Sequence, residues 1–131
     1  MNRQVIAAVI VREGKFLVCK RPVHKRHGGL WEFPGGKLEE GESLLHAAKR
    51  ELAEELKMHA TACGATLFSA KDESSGYEIH FVQVNAEGEP HLIEHSDARW
   101  LAPDELDDLE LAPTDRQFAD ELGRQKKTFD L

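Results

Sequence analysis

Residues 49–57 read KRELAEELK and place Glu51, Glu54 and Glu55 at positions i, i+3 and i+4. On a helix these positions share one face, where like charges repel by roughly a few tenths of a kcal/mol per pair. No lysine follows any of them at i+4 inside the segment, and a glycine-containing loop with its own acid, Glu42, comes just before it. A solvated helix face is one reading of such a charge run. The other is a site for a divalent cation, because carboxylate oxygens suit Mg²⁺ or Mn²⁺. An ion of that kind neutralises the acids, bridges phosphate oxygens and lowers the pKa of a bound water.

A helix must present those acids, and the surrounding sequence supplies one. Ser43 is a suitable N-cap. Leu45, Ala48, Leu52 and Leu56 recur at helical spacing, which predicts a helix from Leu44 to about Leu56 with Arg50, Glu51, Glu54 and Glu55 opposite its apolar stripe. Upstream, residues 5–11 read as a buried strand, Glu13-Gly14 as a turn, and residues 15–21 as the hairpin partner. A polar loop, PVHKRHGG, leads into LWEFPGG, whose Pro34-Gly35-Gly36 breaks any regular element and allows backbone to approach a ligand closely. Downstream, residues 60–70 and 77–85 read as strands split by Ser74-Ser75-Gly76, and residues 86–90 as a further turn. Residues 99–101 form a short strand and Pro103-Asp104 opens a short helix. Thr114 with Gln117 matches a capping box for a last helix reaching Arg124. Strands with one strong central helix and a C-terminal helix predict an α/β or α+β layered domain.

Composition agrees with that class. The chain has 131 residues, 40% hydrophobic and 31% charged, which fits one domain with a core of its own. A net charge of −7 argues against a duplex nucleic acid binder. The apolar run 5–11 is too short to span a membrane and runs straight into charged residues, so neither a membrane helix nor a signal peptide is expected and the cytoplasm is the default. Cys19 and Cys63 lack metal-ligand spacing and read as buried reduced thiols. His46, His59, His80, His91 and His95 also lack it and read as isolated histidines.

The segment GKLEEGESLLHAAKRELAEELKM resembles the Nudix box, G-x5-E-x7-R-E-U-x-E-E-x-G-U with U aliphatic. Gly36, Glu42, Arg50, Glu51, Leu52, Glu54 and Glu55 fall in register, with Met58 a looser fit at the last aliphatic position. The six glycine or charged positions would coincide by chance about once in a million registers at this composition. One position departs: Lys57 stands where the box has glycine, which predicts a slightly altered helix end with the carboxylates unaffected. The runs LWEFPGGKLE, EHSDARWL and LAPTD are similar to MutT-type members, which hydrolyse nucleoside triphosphates.

This resemblance implies a Nudix α/β/α sandwich with a mixed central sheet, as a single domain over residues 1–131. It implies attack of a metal-activated water on an internal phosphorus, Pβ, releasing a nucleoside monophosphate and pyrophosphate. It makes Glu51, Glu54 and Glu55 ligands of Mg²⁺, with Mn²⁺ as the alternative, and gives Glu51 by preference the proton of the water. The Gly35 carbonyl is a further ligand, and Arg50 ties Glu42 to the helix. Glu94 aligns with a loop acid that binds metal or assists the base; a plain surface acid is the alternative. Arg21 aligns with a base-contacting arginine, Phe33 with a residue near the base, and Lys37 is placed at phosphate. Lys20, Arg21, His24, Lys25, Arg26 and His27 form a basic cluster that would draw a triphosphate to an acidic protein, or else a solvated loop. Small members are often monomers, so a monomer or weak homodimer acting on a small nucleotide is expected, with no membrane partner.

Asp115, in LAPTD, bears on the base. Members acting on 8-oxo-dGTP often have asparagine there, which donates and accepts. An ionised Asp only accepts, suiting an exocyclic amine; a protonated one also donates. The GLWEF run and the LAP-x-D pattern are also similar to CTP pyrophosphohydrolase-like members. Asp115 could instead only support the N-terminus of the last helix. The resemblance therefore points first to 8-oxo-dGTP and nucleotide-pool sanitation, then to (d)CTP, 5-methyl-dCTP or (d)NTPs broadly. Hydrolysis of NADH, ADP-ribose or dinucleoside polyphosphates, and a non-hydrolysing nucleotide-binding module, are the remaining alternatives. The module is disfavoured because all four box carboxylates are kept.

Overall fold

A computed structural model of the chain describes residues 3–124. In chain order the strands are β1 (Gln4–Val9), β2 (Val11–Arg12), β3 (Lys15–Lys20), β4 (Trp31–Glu32) and β5 (Gly35–Lys37). Helix α1 (Leu44–Leu56) follows, then β6 (His59–Lys71), β7 (Glu78–Glu87) and β8 (Asp97–Leu101). A 3₁₀ turn over Pro103–Asp108 leads to α2 (Pro113–Arg124). One sheet has the order β5-β1-β7-β6 and is mixed, since β1 and β7 run parallel and the other pairs antiparallel. In the other, β3 pairs antiparallel with β2, β4 and β8.

Alternation along β1 builds the layers. Ile6, Ala8 and Ile10 join Ala47, Ala48, Leu52 and Leu56 of α1, whereas Ala7 and Val9 join Phe81 and the α2 residues Phe118, Ala119 and Leu122. A strand covered on both faces needs a near-continuous apolar run, which is why residues 5–11 carry no polar residue. The architecture is the expected α/β/α sandwich with a mixed sheet.

Three local expectations are corrected. Residues 5–11 are not one hairpin arm. Only Val11–Arg12 turns back onto β3, while Gln4–Val9 belongs to the other sheet. A run buried on both faces carries no mark of which strand it will pair with. Pro34-Gly35-Gly36 does not end regular structure: Gly35–Lys37 pairs with β1 in the register Val5↔Lys37, Ile6↔Gly36, Ala7↔Gly35. Thr114 is not an N-cap, because α2 begins one residue earlier at Pro113, and the Arg116 N–H bonds the Ala112 carbonyl at 2.8 Å. Proline suits a first helical position.

The ends of α1 are set by two residues. Ser43 Oγ accepts from the His46 N–H at 3.1 Å, as expected of an N-cap. At the other end the expectation of an altered helix end is not met. Lys57 adopts φ 54° and ψ 34°, the left-handed cap that the box reserves for glycine, and donates its N–H to the Ala53 carbonyl at 3.2 Å. Met58 N–H closes onto the Leu52 carbonyl at 3.1 Å. The lysine thus accepts the steric cost of that conformation, about 1–2 kcal/mol, and the end of the helix keeps its geometry.

Candidate active site

The carboxylates are gathered by α1 packing against β5. Arg50 donates from Nε and Nη2 to the two oxygens of Glu42, each at 2.8 Å, from Nη1 to Glu51 Oε1 at 2.8 Å, and from Nη2 to the Lys37 carbonyl at 2.9 Å. One guanidinium therefore ties the preceding loop, β5 and α1 together. The Arg50 hydrogen bonds, with the Glu39 N–H, hold the Glu42 carboxyl down at about 2. Gly36 is required where it stands, because a Cβ there would lie 2.5 Å from the Glu51 carboxyl carbon. Gly35 is more constrained: at φ 153° its Cβ would lie 2.0 Å from the Ile6 carbonyl oxygen.

A cavity of about 160 Å³ is lined by Glu51, Glu55 and Glu94 with Arg21, Glu32, Gly35 and His95. Glu54 is outside that lining, with its side chain 57% exposed and 3.7 Å from Arg50 Nη1. Glu55 is only 5% exposed. Burial, then the neighbouring Glu51, Glu32 and Glu94, push its carboxyl well above the usual range. Glu32 and His95 carry no motif and were not anticipated as site residues. Both strands that flank this end of β3 bring them in: Glu32 lies on β4 opposite Cys19, and His95 lies two residues before β8, where the intervening Ser96 N–H bonds the Lys20 carbonyl at 3.0 Å. His95 Nε2 stands 2.9 Å from Glu32 Oε2 and 3.6 Å from Glu55 Oε1.

As the side chains stand, no group of three or more His, Cys, Asp or Glu among the described residues is set in ligand positions. The donor set nonetheless fits a hard divalent cation. Glu51, Glu55 and Glu94 face one small cavity with Glu32 in its wall, and such crowding in a partly dry place is relieved by a bound positive ion.

A second cavity, of about 490 Å³, opens beside the first and shares Arg21, Glu32 and Gly35 with it. Its far wall carries Ala112, Pro113, Thr114 and Asp115 from the start of α2. Asp115 is 8% exposed, and its Oδ2 accepts the Phe33 N–H at 2.9 Å. Burial, followed by the charge of Glu32, pushes its carboxyl up to about 8. Phe33 lines this cavity, but its ring is 3% exposed and stacks edge-on against Phe16, Phe81 and Phe118 at 6.2, 5.9 and 5.2 Å. Lys37 reaches the cavity with its ammonium 4.9 Å from the Tyr77 ring centre. Arg21 bonds Glu32 Oε1 at 2.9 Å and the Arg26 carbonyl at 2.6 Å. Of the basic cluster, Arg21, Arg26 and His27 line the larger cavity and Lys25 the smaller, while Arg26 also pairs with Asp72 at 3.7 Å. Both cysteines are free: Cys19 is buried as expected, whereas Cys63 is only half-buried. Among the described residues no helix is long and apolar enough to cross a membrane.

Comparison with known proteins decides the family. The NUDIX domain description matches residues 1–122. This chain belongs to the Nudix hydrolase family. The Nudix chain is 41% identical over 115 residues to the CTP pyrophosphohydrolase of Escherichia coli K12, covering 86% of this chain and 84% of the relative. It is 33% identical over 131 residues to a putative 8-oxo-dGTP diphosphatase 2 of Mycobacterium tuberculosis, covering 95% and 90%. Among solved structures, the E. coli ORF135 protein superposes with a TM-score of 0.80 at 36% identity, over 97% of this chain and 92% of the other. A MutT from a study of Aliivibrio salmonicida and Vibrio cholerae superposes with a TM-score of 0.80 at 28% identity, over 95% and 99%. Nudix hydrolases generally use divalent metal ions, in keeping with the carboxylate set described above.

Proposed function

We propose that this Nudix hydrolase is a nucleoside triphosphate pyrophosphohydrolase that cleaves (d)NTPs to monophosphate and pyrophosphate, with 8-oxo-dGTP the leading substrate and nucleotide-pool sanitation the role. One observation carries the reading. A nucleoside-sized cavity ending at Asp115 and a carboxylate-lined cavity share the wall made by Arg21, Glu32 and Gly35. A nucleotide whose base lies against Asp115 would extend its phosphates past Gly35 and Lys37 toward Glu51 and Glu55.

In this proposal Glu51, Glu54 and Glu55, with the Gly35 carbonyl and Glu94, hold Mg²⁺, and Mn²⁺ can substitute. When bound, the ion neutralises phosphate charge and lowers the pKa of a coordinated water. The chain's residues do the rest. Arg50 fixes Glu51 at one oxygen and holds Glu42 against the helix. Lys37 meets the phosphates, Arg21 meets the base, and Phe33 supplies the N–H that orients Asp115 toward the base. Water attacks Pβ, the bond from Pβ to the oxygen bridging Pα breaks, that oxygen leaves with the monophosphate, and Glu51 takes the water's proton. The water oxygen ends in pyrophosphate.

A second reading, preference for (d)CTP, is favoured by the E. coli relative's name and by Asp115 itself, whose ionised form accepts from a cytosine amine. A turnover panel separates them: the eight standard NTPs and dNTPs, 8-oxo-dGTP, 5-methyl-dCTP and NADH, each with Mg²⁺ and with Mn²⁺. Highest kcat/KM on 8-oxo-dGTP supports the first reading, highest on cytidine nucleotides the second, and turnover of NADH alone overturns both.

A further inference from the structure

His95 has an unusual set of partners for a buried side chain. It is 4% exposed, and its Nδ1 is buried with no hydrogen-bond partner. A buried polar atom left without a partner costs free energy and calls for an explanation. The other ring nitrogen is committed. Glu32 receives Arg21 on Oε1 at 2.9 Å, and its Oε2 receives the His95 Nε2–H at 2.9 Å. Glu32 is thus clamped at both oxygens, and it lines both cavities. The same Nε2 stands 3.6 Å from Glu55 Oε1, beyond a hydrogen bond. One N–H therefore anchors the wall shared by the two cavities while its ring backs the buried carboxylate of the small one.

We propose that His95 is a positioning residue that couples the nucleoside cavity to the carboxylate cavity, by fixing Glu32 in the wall they share, 3.6 Å from the Glu55 carboxylate. The inference rests on the hydrolase reading, because Glu55 matters here as a ligand. Losing His95 leaves Glu32 Oε2 without its donor and free to move against Glu55, so metal binding and nucleotide turnover should fail together while the fold persists. A merely structural role would lower stability and leave the folded fraction with ordinary metal affinity.

The test compares wild type, His95→Leu and His95→Gln, the last retaining an N–H donor of similar reach. Mn²⁺ affinity is measured without nucleotide by the loss of the free-ion spin-resonance signal, thermal stability is measured without metal, and kcat and KM are measured separately. The expected result is that His95→Leu weakens Mn²⁺ binding by about 10-fold or more, the usual effect of losing a group that orients a ligand. It should also lower kcat and raise KM, and His95→Gln should recover most of each. Wild-type Mn²⁺ affinity and kinetics in His95→Leu overturn the inference alone. So does equal loss in both variants that follows their melting temperatures. No Mn²⁺ binding by wild type overturns the hydrolase reading and the inference with it.

Discussion

In the proposed function, Asp115 is the residue whose protonation decides most at the base. Its carboxyl titrates near 8 because it is buried close to Glu32, and one oxygen is already taken by the Phe33 N–H. Below that pH it carries a proton and can donate to a carbonyl-bearing edge, as on an oxidised guanine; above it, it only accepts, which suits an amine. The ratio of kcat/KM for 8-oxo-dGTP over that for dCTP should therefore fall as pH rises through about 8. Asp115→Asn donates and accepts at every pH, so its ratio should stay flat across the same range; a ratio that falls in both proteins means Asp115 does not read the base. The same shift acts on stability. A carboxyl raised in the folded state favours folding below its unfolded value of about 3.8, and that contribution is lost as pH rises to about 8. Asp115→Asn should accordingly gain on the order of a few kcal/mol relative to wild type at pH 9, and little at pH 4, by denaturant titration. Gly36 gives a second residue-level separation. A Cβ there meets only the end of the Glu51 side chain, so Gly36→Ala should keep its melting temperature and lose about 10–100-fold in activity.

At the scale of elements, β5 and the C-terminal end of α1 each hang on one backbone position. Gly35→Ala places its Cβ against the Ile6 carbonyl, a backbone atom that cannot move aside without breaking the β1–β5 pairing. Unlike its neighbour it should therefore cost about 3 kcal/mol or more of stability, read by chemical denaturation. At the helix end, Lys57→Gly should gain about 1 kcal/mol by relieving the left-handed cap. Turnover should be unchanged, since Lys57 is exposed and lines neither cavity. A large change in rate would mean that the cap geometry governs the carboxylates. The elements also show what sequence could and could not say. Helix α1 was legible in the sequence, because its period, its Ser43 cap and its acid stripe all sit within one stretch. The division of residues 5–11 between two sheets was not, because burial on both faces removes the alternation that would assign a partner. The same limit hid the partnership of Glu32 and His95. They are 63 residues apart, and only the pairing of β4 and the approach to β8 on either side of β3 bring them together.

At the scale of the molecule, an acidic chain handles an acidic ligand by dividing its charges between neighbouring cavities. The chain carries a net charge of −7, with three of its acids on one stretch of α1, and the loop following β3 returns Arg21, Lys25 and Arg26 to the cavity walls. Arg21 engages Glu32 and Arg50 engages one oxygen of Glu51, so the acids of the small cavity left without an arginine, Glu55 and Glu94, with the second oxygen of Glu51, are the ones a divalent ion would serve. The box motif alone announced the chemistry. The two-cavity arrangement, on which the proposed nucleotide binding rests, needed the fold. The most direct measurement is the fate of 8-oxo-dGTP incubated with the protein and Mg²⁺ in ¹⁸O-water, with products separated and weighed by mass spectrometry. Equal amounts of monophosphate and pyrophosphate, the label in pyrophosphate, and loss of both products in Glu51→Gln are expected. Release of inorganic phosphate with a nucleoside diphosphate, or tight nucleotide binding with no products, would contradict the account.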